Sequence, residues 1–153
     1  MRLTDILKPE HIKLPLSADG KQAAIEELIG VLAANGQVVD ADRVRQAVLE
    51  REATRTTGIG DGLAIPHGKT DGVRDLAMAL GRTATPIDFQ SVDGKPVSLI
   101  WLLTSPPEKT GPHITALARI SKIMSNAAVR RRIVAAKTAQ EIYDVVAEQD
   151  AAV

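Results

Sequence analysis

The chain has 153 residues, 19 basic and 19 acidic side chains and 44% hydrophobic residues, enough for one domain with a sizeable core and no net charge to attract a polyanion. One Phe, one Trp and one Tyr leave no aromatic platform for stacking bases, and the absence of Cys excludes disulfides and zinc–thiolate sites. No stretch approaches about 18 consecutive apolar residues and the N-terminus carries no export signal, so a cytoplasmic protein with no membrane insertion and no nucleic-acid partner is expected.

After an N-terminal stretch ending near Pro15, in which His11 reads as a surface residue, Ser17 or Asp19 is placed to cap a helix carrying Ile25, Leu28, Ile29 and Leu32. Asn35-Gly36 stops it, since both residues tolerate the left-handed conformation common after a helix end. Asp40 caps a second helix through Val44, Ala47 and Val48, leaving Arg51 and Glu52 near its C-terminal end. Thr56 to Gly62 reads as turns, with Gly58, Gly60 and Gly62 alternating, and leads to a short apolar strand, Leu63-Ala64-Ile65, closed by Pro66. His67 is then the first side chain beyond the strand end.

Leu76 to Leu80 predicts another strand, Pro86 to Phe89 a short extended piece and Asp93-Gly94 a turn. Val97 to Leu103 is almost continuously apolar, as expected for a central strand covered on both faces, and Pro106-Pro107 ends it. The last third is helical. Pro112 fits the first turn of a helix with Leu117, Ile120 and Met124, Asn126 caps the next around Val129, Ile133 and Val134, and Thr138 with Glu141 forms a capping box before Ile142, Val145 and Val146. The run Arg130-Arg131-Arg132 reads as a solvated helix face or a patch for an acidic partner. These elements predict a single α/β domain over residues 1–153, with the strand order left open.

Two nucleotide motifs fail. A P-loop ending at Gly68-Lys69-Thr70 would need glycine at position 63, and so would a dinucleotide fingerprint begun by Gly58 and Gly60; Leu63 stands there. What remains is a glycine-rich loop and a strand that delivers a histidine. Neutral imidazole is a competent nucleophile near pH 7, and a phosphoryl group held on it needs surrounding donors. Backbone N–H groups at Gly58, Gly60 and Gly62 and the guanidinium of Arg51 are candidates for holding that phosphate. His113, after Pro112 at a helix start, is placed to orient it. On local grounds three roles for His67 stay open: phosphotransfer, general acid/base work, or a structural histidine. The spacings of His11, His67 and His113 match no metal motif, so neither metal nor cofactor is expected.

The string Thr57-Gly58-Ile59-Gly60-Asp61-Gly62-Leu63-Ala64-Ile65-Pro66-His67-Gly68, with Arg51-Glu52 before it and Pro86-Ile87-Asp88-Phe89, Asp93-Gly94-Lys95-Pro96-Val97 and His113 after it, resembles the IIA component of the phosphoenolpyruvate-dependent sugar phosphotransferase system. The resemblance is to its fructose/mannitol/nitrogen-regulatory family. It implies a sandwich with a central mixed sheet flanked by helices. It also implies that His67 takes phosphate from a histidine phosphocarrier protein through Nε2, with His113 and Arg51 beside it. Sugar-transporting members pass phosphate to a IIB domain; nitrogen-regulatory members control target proteins, and the Leu-Thr-Asp-Ile-Leu opening is more like the latter. An apolar rim from residues around Leu63 and the helices is expected to dock the partner. A regulatory binding module in which phosphate is incidental is the alternative from another class. Ser91, Trp101 and Thr110-Gly111-Pro112 depart from the family pattern, the last on the approach to His113.

Overall fold

The computed structural model describes every residue from Met1 to Val153. Strands β1 (Ile12–Leu16), β2 (Gly58–Gly60), β3 (Leu63–Ala64), β4 (His67–Lys69), β5 (Ala77–Ile87) and β6 (Val97–Ser105) form one mixed sheet. Helices α1 (Lys21–Ala34), α2 (Ala41–Thr54), α3 (Thr110–Met124), α4 (Ala127–Ala135) and α5 (Ala139–Ala152) cover it. None is long and apolar enough to cross a membrane.

Side chains alternate across a strand, so a strand buried on both faces must be apolar throughout. β6 meets that condition. Leu99, Trp101 and Leu103 enter a core shared with α3, α4 and α5, while Ile100 and Leu102 enter a second core shared with α1 and α2. The result is a three-layer α/β sandwich, as the resemblance implied. Trp101 is fully buried, and its indole N–H donates to Met78 Sδ at 3.3 Å.

The strand order is β1-β5-β6-β3-β2, with β4 also on β6. β5 and β6 are antiparallel; β1 joins β5, and β3 and β4 join β6, in parallel. Leu63↔Leu99 and His67↔Leu103 share one offset, so residues 63–69 are a single strand interrupted at Ile65-Pro66. Pro66 has no N–H to give, yet its carbonyl accepts from the Leu103 N–H at 3.0 Å and carries the register across. β2 folds back on β3 alone, which leaves β4 at a sheet edge.

Several local expectations change. His67 begins a strand instead of following one, and the segment expected to be all turns contains β2. The extended piece from Pro86 is the end of β5. α1 is not capped by Ser17 or Asp19: the N–H groups of Ser17 and Ala18 donate to the Glu27 carboxylate at 2.9 and 2.8 Å, and Gly20 occupies the cap position. His11 is buried, not exposed, because the turn Pro9–His11 leads directly into β1 and Nδ1 accepts from the Lys8 N–H at 3.3 Å. The Asp40 and Asn126 caps form as expected. At α5, Thr138 Oγ1 accepts from the Glu141 N–H, but the Glu141 carboxylate reaches the Lys137 N–H, one residue before the expected partner.

Candidate functional site

Gly68 faces α2 so closely that a Cβ there would lie 3.1 Å from the Val48 nitrogen and 3.2 Å from the Ala47 carbonyl carbon. The bare backbone thus lets α2 pack on β4, and one turn further along α2 is Arg51. His67 projects from the opposite face of β4, towards α3, because neighbouring strand residues alternate. β4 has no outer strand, so the two helical layers meet beside it and enclose a pocket of about 310 Å³. His67 lines that pocket. Arg51, Arg55 and Thr56 surround it on one side, and Ile59, Val92 and Leu117 supply apolar wall.

Nδ1 of His67 lies 2.7 Å from the carbonyl oxygen of Ile65. A carbonyl only accepts, so Nδ1 carries the proton and Nε2 holds the free lone pair. The Ile65 carbonyl is available because strand pairing on that side stops at Thr57, whose own carbonyl accepts from the Ile65 N–H at 3.0 Å. Burial lowers the His67 pKa below the ordinary histidine value, the Arg51 charge adding to it while the Ile65 bond and Glu52 oppose it. The neutral ring is therefore favoured near pH 7.

His113 on α3 faces His67, with ring centroids 5.6 Å apart and planes tilted by 60°. It is buried, and burial, helped by His67 and Lys69, lowers its pKa to about 4. Its Nδ1 is hydrogen-bonded to the hydroxyl of fully buried Ser105. Of the expected trio, His67 and Arg51 share the pocket, while His113 packs against the His67 ring without lining it. Arg51 donates from Nη1 to the Arg55 carbonyl at 2.8 Å, which folds the end of α2 over the pocket.

Gly58, Gly60 and Gly62 do not line the pocket. The Gly58 N–H is bound to Thr56 Oγ1 at 3.1 Å, and a Cβ on Gly58 would lie 3.0 Å from the Ser91 Cα. Gly60 and Gly62 take positive φ of 104° and 76° to turn β2 into β3. These glycines shape the hairpin. Leu63 itself is buried, and Ile59, Val92 and Ile114 are exposed apolar residues at this end.

Glu52, Thr57, Ser105 and Arg55 were assigned no functional role from sequence, although Glu52 and Thr57 stand in the stretches that carry the resemblance. Buried Glu52 accepts from Lys21 Nζ and from the Thr57 N–H, each at 2.9 Å, and from the Thr57 hydroxyl. An acidic residue near a helix C-terminus runs against the helix dipole, a legible sign of a specific partner. A hydroxyl residue closing an apolar central strand before Pro106 was the corresponding sign for Ser105. Arg55 carried no sequence signal. No group of three or more His, Asp or Glu side chains is arranged to hold a metal.

A family model described as "Phosphoenolpyruvate-dependent sugar phosphotransferase system, EIIA 2" matches residues 5–149, and the chain belongs to that family of phosphotransfer domains. A nitrogen regulatory protein of Bradyrhizobium diazoefficiens is 38% identical over 148 residues, covering 96% of this chain and 95% of that protein. The fructose-specific EIIABC component of Bacillus subtilis is 33% identical over 150 residues, covering 98% of this chain, which spans only 24% of that protein. The crystal structure of nitrogen regulatory protein IIA-Ntr from Neisseria meningitidis superposes with a TM-score of 0.87 at 32% identity, over 94% of this chain and 98% of that one. The chain is thus similar to both the nitrogen-regulatory and the sugar-specific members.

Proposed function

We propose that residues 1–153 act as one phosphotransfer domain in which His67 accepts a phosphoryl group on Nε2 from a histidine phosphocarrier protein. The observation that carries this reading is the Nδ1–H bond to Ile65, which leaves Nε2 as the nucleophile. The Nε2 lone pair forms the new N–P bond as the donor's N–P bond breaks, and that electron pair returns to the donor ring. The His67 ring gains positive charge in the step, and the same Ile65 carbonyl, already holding Nδ1–H, stabilises it. His113 and the guanidinium groups of Arg51 and Arg55 gather the phosphoryl oxygens, so positioning and charge supply the catalysis. Exposed Ile59, Val92 and Ile114 form the rim on which a partner docks and from which it leaves.

The phosphorylated and free forms then differ by two negative charges at this rim, which is the basis for a regulatory switch on target proteins. Similarity over nearly the full length of a nitrogen regulatory protein supports that branch. The fructose-specific relative supports a second reading, onward transfer to a IIB domain. Incubation with phosphoenolpyruvate and its phosphocarrier chain should label the wild type and not His67→Ala, and equal labelling of both would overturn the assignment. Binding of targets by one phosphorylation state supports the switch; sugar uptake that depends on transfer to a IIB domain supports the other branch.

A further inference from the structure

We infer that Ser105 is a positioning residue for this reaction: its hydroxyl donates to Nδ1 of His113, so that the ring presents Nε2–H to the phosphoryl group on His67. The inference rests on the function proposed above and assigns a role to a residue that takes no part in the transfer itself.

The strand registers place the group. His67 pairs with Leu103, and Lys69 with Ser105, two residues on along both strands. Residues two apart share a face, so His67 and Ser105 both project towards α3, which brings His113 over them. The Ser105 backbone is fixed, since its carbonyl accepts from the Thr70 N–H at 2.8 Å. Its side chain is fully buried, and His113 Nδ1 is its single hydrogen-bond partner.

Two proton arrangements fit that contact. In one, Nδ1–H of His113 donates to Ser105. The hydroxyl proton then has no acceptor in a buried site, and Nε2 turns a lone pair towards an incoming dianion, so both ends of the arrangement are unfavourable. In the other, the Ser105 hydroxyl donates to Nδ1, both atoms of the contact are satisfied, and Nε2–H becomes a donor. The second arrangement is the one that stabilises negative charge on the phosphoryl oxygens. It also needs a neutral His113, and the lowered pKa of about 4 keeps the ring neutral across the working range.

The test combines nitrogen NMR of the histidine side chains with transfer kinetics. In the wild type near neutral pH, His113 should show a protonated Nε2 and an unprotonated, hydrogen-bonded Nδ1; a protonated Nδ1 would overturn the inference. Ser105→Ala should lower kcat for transfer from the phosphocarrier by roughly threefold to tenfold, the loss of one hydrogen bond, with KM unchanged. Ser105→Thr should restore the rate. Ser105→Ala at the wild-type rate would also overturn it. Should Ser105→Ala not fold, the wild-type NMR decides alone. Failure of the wild type to be labelled at His67 would instead defeat the proposed function, and the tautomer measurement would still report on Ser105.

Discussion

The rings of His67 and His113 meet at an angle of 60° across 5.6 Å, tilted instead of stacked. A tilted approach lets the edge of one ring face the other, which is compatible with the Nε2–H of His113 inferred above reaching a group on His67. His113→Ala should therefore keep the fold and slow phosphoryl transfer by about a hundredfold, the usual effect of losing one donor to developing negative charge. Rapid-quench measurement of labelled protein checks this, and an unchanged rate would remove His113 from the chemistry.

Acid should weaken the fold before the carboxylates titrate. The pKa of His113 falls from 6.5 to about 4 on folding. Between those values the unfolded chain binds the proton and the folded chain does not, so stability rises with pH across that window and is lost as pH falls through it. His67 and His11 shift in the same direction and add to it. The loss from His113 is about 3 kcal/mol over the whole window, about 2 of it between about pH 7 and about pH 5. Urea titrations at about pH 7 and about pH 5 should show it, and His113→Gln should flatten the difference.

Glu52→Ala should be more disruptive than an ordinary surface change. It leaves half-buried Lys21 without its carboxylate and frees both the N–H and the hydroxyl of buried Thr57. Breaking such a pair costs about 3 kcal/mol. Because Thr57 opens β2 and lines the His67 pocket, hydrogen exchange at Gly58 to Gly60 should accelerate together with the loss in denaturation midpoint. A midpoint within error of the wild type would show that the carboxylate is dispensable.

Gly58→Ala should destabilise by about 1–3 kcal/mol, because its methyl group meets the Ser91 side chain and lies 3.0 Å from the Ser91 Cα. Ser91 Oγ is buried with no hydrogen-bond partner, so little is lost by removing it. Ser91→Gly in the same chain should recover part of the stability, which a double-mutant cycle measures as coupling. Additive effects would mean that the strain lies elsewhere.

The long elements were legible because their signals are local. β6 shows itself by unbroken apolar sequence, and α2 by Asp40 and the spacing of Val44 and Val48. His67, His113 and Arg51 could be named from their chemistry and from family resemblance, although nothing local shows that they meet. Of the short strands only β3 was legible, as the apolar run from Leu63; β2 and β4 have three residues each, and exist because β3 or β6 pairs with them. The packing role of the glycines was not legible for a related reason. A glycine beside an anion and a glycine beside a packed side chain look alike in sequence, and only the nearness of Ser91 and Asp93 distinguishes them. His11 was misplaced because β1, interrupted by Pro15, hid the turn that buries it.

Residues 63–69 keep one register on β6 across Pro66, so the His67 imidazole, the proposed acceptor, inherits its coordinates from the most deeply buried strand. Ile59 and Val92, by contrast, ride on segments outside that pairing. Insertions or substitutions there can readdress the domain to a new recipient while the reacting nitrogen stays anchored, which lets a single chemistry serve partners of quite different shape.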